Sequence, residues 1–240
     1  MKFSPKRLWI EWRGFLLFIA VMLLFRSTIA DWNQVPSGSM EPTLLVGDRI
    51  LVDKMAYDLR VPFTLRRIAQ WAHPRRGDIV IFPSPLKANC PPSEPSCPTT
   101  TQTWVKRVVG LPGDVVELRF NRLIVNGEHA DYRRLTLDEL SRLPPYEDGS
   151  RLYVESVLGD SRYVRVRRNT GGQSTFGPVV VPDGHLFMMG DNRDNSNDSR
   201  SRLGMVERHR ITGRAYSVAF SLNYDRGFLP RPERFFSDLQ

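Results

Sequence analysis

The sequence predicts a mostly β fold: an all-β domain with a smaller inserted β region, preceded by one N-terminal transmembrane helix. Three observations point there. Apolar residues concentrate in one run near the N-terminus, Gly14 to Phe25, reading GFLLFIAVMLLF. From Asp31 onward, β-branched runs of strand length are separated by Gly, Pro and Asn. Only one short stretch, Thr136 to Arg142, carries both a helix start and a helix stop signal.

The apolar run is the first element. Lys2, Lys6, Arg7 and Arg13 precede it and Arg26 follows it. As helix it reaches roughly 18 Å, short of a hydrocarbon core of about 30 Å. Extended from Leu8 to Ala30 it reaches about 35 Å, with Arg13 and Arg26 near the ends where they can snorkel. Two readings stay open: a cleaved secretory signal ending at Ala30, and a retained anchor. Thr28 and Ala30 fit a small-x-small cleavage site only weakly, which favours the anchor. Residues 1–30 are therefore read as a cytoplasmic tip plus membrane anchor, and 31–240 as an extracytoplasmic domain.

The strands follow in order. DRILVDKM (Asp48–Met55), GDIVIF (Gly77–Phe82), TWVKRVV (Thr103–Val109) and DVVELR (Asp114–Arg119) are β-branched runs. Leu123–Val125 followed by Asn126-Gly127 predicts a tight hairpin. RYVRVRR (Arg162–Arg168) is expected to alternate an apolar face with an arginine face. HLFMMG (His185–Gly190) and TGRAYSVAF (Thr212–Phe220) complete the core strands. The single helix is opened by the Thr136…Glu139 capping-box pattern and stopped by Pro144-Pro145. The stretch of roughly 120–182 reads as an insertion of hairpins.

Composition narrows the function classes. With 240 residues, 41% hydrophobic and 25% charged, the chain can bury a full core and is neither disordered nor a multi-span membrane protein. A net charge of +8 points to an anionic partner, nucleic acid or a phospholipid surface. Nearly all of the basic charge is arginine, with lysine only at positions 2, 6, 54, 87 and 106. Cys90 and Cys97 bracket CPPSEPSC, a proline-rich loop where an exported compartment permits a disulfide; two free thiols are the alternative. His73, His129, His185 and His209 are scattered without HExxH spacing, so no metal or cofactor is expected.

Three segments are too specific for ordinary turns. PSGSMEPTL (Pro36–Leu44) places two serines around a glycine between prolines, a rigid turn able to present a hydroxyl beside a backbone N–H, or else a linker leaving the membrane. WVKRVVGLPGD (Trp104–Asp114) sets Lys106 among Val105, Val108 and Val109. Such a lysine either snorkels to solvent as a structural residue or is buried; burial disfavours an ammonium and lowers its pKa, so Lys106 is a candidate general base, and only a lysine in this arginine-rich chain can lose its proton. Lys54 and Lys87 are weaker candidates. MGDNRDNSNDSR (Met189–Arg200) is a hydrogen-bonded loop, or a calcium site through Asp191, Asp194 and Asp198, although it lacks the EF-hand Gly and terminal Glu.

These segments, in this order behind an apolar anchor, resemble the type I signal peptidase family. The motifs carrying the resemblance are PSGSMEPTL, GDRILVDKMAY, RGDIVIF with VKRVVGLPGD, and GDNRDNSNDSR, about a quarter of the chain. The resemblance implies a membrane-bound serine endopeptidase that cleaves signal peptides from exported preproteins after A-x-A sites. It implies Ser39 as nucleophile and Lys106 as general base. Ser37 would be the side-chain donor of the oxyanion hole. Ser196 would orient the lysine, and Asp198 with Arg200 would support the loop. Val35, Met40, Leu44, Trp104 and Val105 would form shallow pockets for small side chains. Glu41, where an apolar residue can occur, and the bulk of Trp104 depart from the family pattern.

The implied setting is the cytoplasmic (inner) membrane, single-pass, with the N-terminus in the cytoplasm and the catalytic domain on the periplasmic side. Signal peptides and the phospholipid membrane are the implied partners; the export machinery stays open as another. Nucleic acid is not expected, since no recognition motif is present. A self-cleaving repressor-type protease would need a helix-turn-helix where this chain has its apolar run. A catalytically dead binding module would need a lost nucleophile or base. An enzyme specialised for one secretion system remains an alternative to a housekeeping role.

Overall fold

The β-branched runs pair into one antiparallel sheet of eight strands. Its spatial order is Ala30–Gln34, Asp48–Asp53, Gly213–Asn223, Ile79–Lys87, Thr99–Gly110, His185–Met189 and Val206–Glu207, with Leu229–Pro230 added beside Gly213–Asn223. The computed structural model describes residues 5–87, 99–144, 146, 149–167, 174–201 and 203–239. Cys90 and Cys97 lie outside the described residues.

The run Ile79 to Phe82 explains why the centre of this sheet reads as unbroken apolar sequence. Successive side chains on a strand point to opposite faces. Ile79 and Ile81 enter a core with Ile50, Val52 and Val105, whereas Val80 and Phe82 enter another with Val108, Leu186 and Met188. Both faces are covered, so the strand cannot alternate polar with apolar. Each such aliphatic side chain, fully buried, stabilises the fold by about 1.5–3 kcal/mol. Asp48–Asp53 is buried at every second position instead, as a strand with one covered face should be.

The strands from Val115–Arg119 to Phe176–Val180 add nothing to the eight-stranded sheet. Val115–Arg119, Arg122–Val125, Glu128–His129 and Phe176–Val180 make a four-stranded sheet, and Asp131–Arg134, Arg151–Val157 and Asp160–Val166 a three-stranded one. This hairpin region thus begins at Val115, a few residues before the expected 120. The hairpin at Asn126-Gly127 forms, with φ of 54° and 80° at these residues, the left-handed conformation that a two-residue turn requires. The helix Leu137–Ser141 has the expected capping box between Thr136 and Glu139.

The arginine-faced strand corrects the sequence reading. Within Asp160–Val166, Arg162 and Arg165 are buried rather than turned to water. Arg162 pairs with Glu155 on the adjacent strand, and Arg165 pairs with Glu41 far away in sequence. A carboxylate supplied from elsewhere lets each guanidinium leave solvent, which no local periodicity can register.

The N-terminal helix runs Pro5–Thr28, 24 residues and about 36 Å. It stops before Ala30, because Ala30 already pairs with Asp53 as the start of a strand. Among the described residues, no helix is long and apolar enough to cross a membrane. The physical reason is that charges at Lys6, Arg7, Glu11, Arg13 and Arg26 confine the apolar run to Gly14–Phe25, below the roughly 20 residues a full span needs. Lys54 closes the helix's C-terminal end, donating to the carbonyl of Arg26 at 3.0 Å and facing Asp31 at 3.3 Å. That position gives Lys54 a structural task, with its cation on the negative end of the helix dipole.

Candidate active site

Pro36 and Ser37 lead into a single 3-10 turn, Gly38–Met40, whose Met40 side chain is buried and fixes it to the core. An added Cβ at Gly38 would lie 2.7 Å from a Glu41 carboxylate oxygen, so any larger residue there would displace the Glu41 side chain. The turn lies against the start of the Asp-, Asn- and Ser-rich loop. Asn192 donates its side-chain amide to the Gly38 carbonyl at 2.9 Å and its backbone N–H to the Ser39 carbonyl at 3.2 Å. Gly190 allows this approach, because a Cβ there would come within 2.4 Å of the Ser39 carbonyl and 2.2 Å of Ser196 Oγ.

Lys106 reaches the same turn from strand Thr99–Gly110. Its Nζ donates to Ser39 Oγ at 2.6 Å, and the side chain is only 4% exposed. Burial lowers its pKa from 10.5 to about 8, against the opposing pull of the Asp198 and Asp191 carboxylates. A pKa of about 8 leaves a minor fraction of this amine neutral at pH 7 and most of it neutral at higher pH, and once neutral its lone pair can accept the Ser39 O–H across the same gap. Ser37, exposed at the mouth, donates to Ser39 Oγ at 3.4 Å.

Ser39 and Lys106 open into a cleft of about 700 Å³ walled by Val35, Met40, Trp104 and Val105 together with Ser37, Asn195 and Asn197. Trp104, two positions before Lys106 on the same strand face, sets its ring 5.6 Å from Nζ. Leu44 is not among the residues lining the cleft; it is fully buried in the same core as Val35 and Met40.

The loop Met189–Arg200 is built on buried ion pairs. Asp198 receives Arg200 through both carboxylate oxygens, at 2.9 and 2.8 Å, and accepts the Gly190 N–H at 3.0 Å. Burial alone would raise the Asp198 pKa, but the Arg200 guanidinium and the neighbouring donors hold it below the usual carboxylate value. Ser196 is buried over Gly190 and beside this pair, and among the described residues it makes no hydrogen bond to Lys106. Asp191 takes Arg107 at 2.9 and 2.8 Å and the Thr43 hydroxyl at 2.5 Å. Asp194 accepts from Asn121 and from the Arg167 N–H. The three carboxylates considered for calcium thus serve three different partners, and no three metal-type ligands converge among the described residues.

Several residues of this site were not singled out from sequence. Asn192 and Gly190 lie inside the motif that was, so its density of small polar residues was their signal. Arg107 could be found by strand alternation beside Lys106. Arg165, which braces the turn through Glu41 and bridges Asn192 by backbone pairing, leaves no sequence signal. Its partner is 124 positions away.

A family model described as "Signal peptidase, peptidase S26" matches residues 9–220. The chain belongs to the S26 family of signal peptidases. It is accordingly a serine peptidase, a hydrolase. It is similar to signal peptidase I of Pseudomonas aeruginosa, 38% identical over 237 residues, covering 92% of this chain and 75% of that one. Signal peptidase I of Pseudomonas fluorescens is 36% identical over 231 residues with the same two coverages. Signal peptidase I of Bacillus licheniformis is 32% identical over 225 residues, covering 92% of this chain and 93% of that one.

Proposed function

We propose that this S26 peptidase removes signal peptides from exported preproteins after A-x-A sites by a Ser39–Lys106 dyad. The observation that carries this reading is the 2.6 Å contact between Lys106 Nζ and Ser39 Oγ in the wall of an open cleft. Neutral Lys106 takes the Ser39 proton as Oγ adds to the scissile carbonyl. The Ser39 N–H and the Ser37 hydroxyl receive the developing oxyanion. Collapse expels the amine, which leaves with the proton from Lys106, and the acyl group stays on Ser39. Lys106 then deprotonates a water that attacks the ester, releasing the acid and restoring Ser39. Ser196, Asp198 and Arg200 act by fixing the loop on which the turn rests.

Thr103, Trp104 and Val105 pair with Ile79–Lys87 on one edge, whereas the pairing with His185–Met189 starts only at Arg107. Among the described residues the other edge of 103–105 carries no strand, which suits an extended peptide bound as an added strand. Val35, Met40, Trp104 and Val105 leave shallow apolar depressions there, suited to alanine-sized side chains. The N-terminal helix exposes Phe15, Leu17, Phe18, Val21 and Leu24, so it is assigned the role of membrane anchor, with the serine turn close to the lipid surface.

The deciding experiment incubates the purified protein in detergent with a preprotein bearing an A-x-A site and identifies the products by mass spectrometry, beside Lys106→Met. One cut after the second alanine, absent in the variant, is the expected result. Cleavage that survives Lys106→Met assigns the base elsewhere, and a folded protein that cuts nothing points to a specialised client or a binding role. Carbonate extraction of membranes tests the anchor, which should keep the chain in the pellet.

A further inference from the structure

We propose that a second cavity, which shares Thr103 with the lining of the active cleft, binds the apolar stretch of the exported chain upstream of the cut. This rests on the peptidase reading above. The cavity, of about 510 Å³, lies between the C-terminal end of the helix Pro5–Thr28, the hairpin loop joining strands Asp58–Arg60 and Arg67–Gln70, and the strand Thr99–Gly110. Thr103 is common to the linings of both cavities.

The chemistry of its walls selects the occupant. Leu23, Phe63 and Leu65 face it while 51%, 73% and 49% exposed, a set of apolar side chains that the chain itself leaves uncovered. Its charged groups are already engaged: Arg26 with Asp31 at 2.7 Å, Lys54 with Asp31 and the helix carbonyls, and Arg60 with Asp58 at 2.8 Å. What remains for a ligand is mostly apolar surface, edged by the side chains of Asn33, Thr64, Thr103 and Thr212. The loop is held to the helix by the Phe63 N–H, which donates to Ser27 Oγ at 2.7 Å, so both walls are positioned before anything binds. An extended peptide advances about 3.3 Å per residue. From Lys106 back to Thr103 it passes about three residues, so its fourth or fifth residue before the cut stands at the cavity mouth.

Two peptides sharing one A-x-A site test this. The short one begins three residues before the cut; the long one adds six residues, five of them leucine or alanine and one a photoreactive phenylalanine analogue five residues before the cut. kcat/KM is measured for wild type and for Phe63→Ser/Leu65→Ser in detergent, and the long peptide is photo-cross-linked to Ser39→Ala protein. The long peptide should be cut about tenfold better than the short one by wild type. That advantage should vanish in the double variant while the short peptide is cut as before, and the cross-link should map to residues 61–66. Equal rates for both peptides in wild type, an equal loss for both in the variant, or a cross-link elsewhere would overturn the proposal. If wild type cuts neither peptide but the cross-link still maps to the loop, the peptidase reading fails and the binding site stands.

Discussion

Lys106 and Arg107 are neighbours on one strand, both buried, and they face opposite ways. Arg107 meets Asp191 through two hydrogen bonds and adds the Gly77 carbonyl, so despite burial its guanidinium is held more firmly charged than usual. Lys106 meets the hydroxyl of Ser39; among the described residues no carboxylate lies within ion-pair distance of it, and burial dominates. One strand therefore carries a fixed cation on one face and a cation poised to lose its proton on the other. The difference is that a contact carboxylate offsets desolvation for one group and only more distant carboxylates act on the other.

Exchanging the two faces is the strongest way to break this contrast. Lys106→Arg keeps a cation in place but cannot give up its proton, and should lower kcat/KM by about 10⁴-fold or more, as Lys106→Met and Ser39→Ala should. Circular dichroism should report an unchanged fold in all three. On the other face, Asp191→Asn strands Arg107 without its charge partner and should cost about 3–5 kcal/mol in urea unfolding. A variant as stable as wild type would mean that the buried pair is dispensable.

Ser37→Ala separates binding from transition-state support. It should lower kcat by about 10²–10³-fold with KM little changed, in steady-state kinetics on one peptide. The pH dependence sharpens the contrast further. Single-turnover cleavage should rise with pH as Lys106 loses its proton, with an apparent pKa of about 8. Stability should move with it: between about 8 and 10.5 the unfolded lysine binds a proton that the folded one has shed, so the fold gains stability as pH rises through that window. Lys106→Met should remove that slope. The smallest effect lies far from both faces, at Thr136→Ala, which deletes the helix cap and should cost about 1 kcal/mol in thermal melts.

Local patterns carried much of the fold. The strands at Asp48–Asp53, Val115–Arg119 and His185–Met189, the Asn126-Gly127 turn and the capped helix each follow from residues within a few positions of one another, as their physics is local. The serine turn and Lys106 were legible for a related reason, because unusual residue types stand in segments whose apolar neighbours predict burial.

By itself, then, the sequence determined that a β domain follows an apolar helix, and that a serine turn, a lysine set among valines and an Asp/Asn/Ser loop are its chemically unusual parts. Tertiary structure alone decided that Lys106 lies 2.6 Å from Ser39, 67 positions away, that Asn192 carries the turn, and that Arg162 and Arg165 go inside. Each of these depends on a group brought in from a distant segment. Burial, charge and pKa follow from what surrounds an atom in space, and sequence patterns report only what surrounds it along the chain.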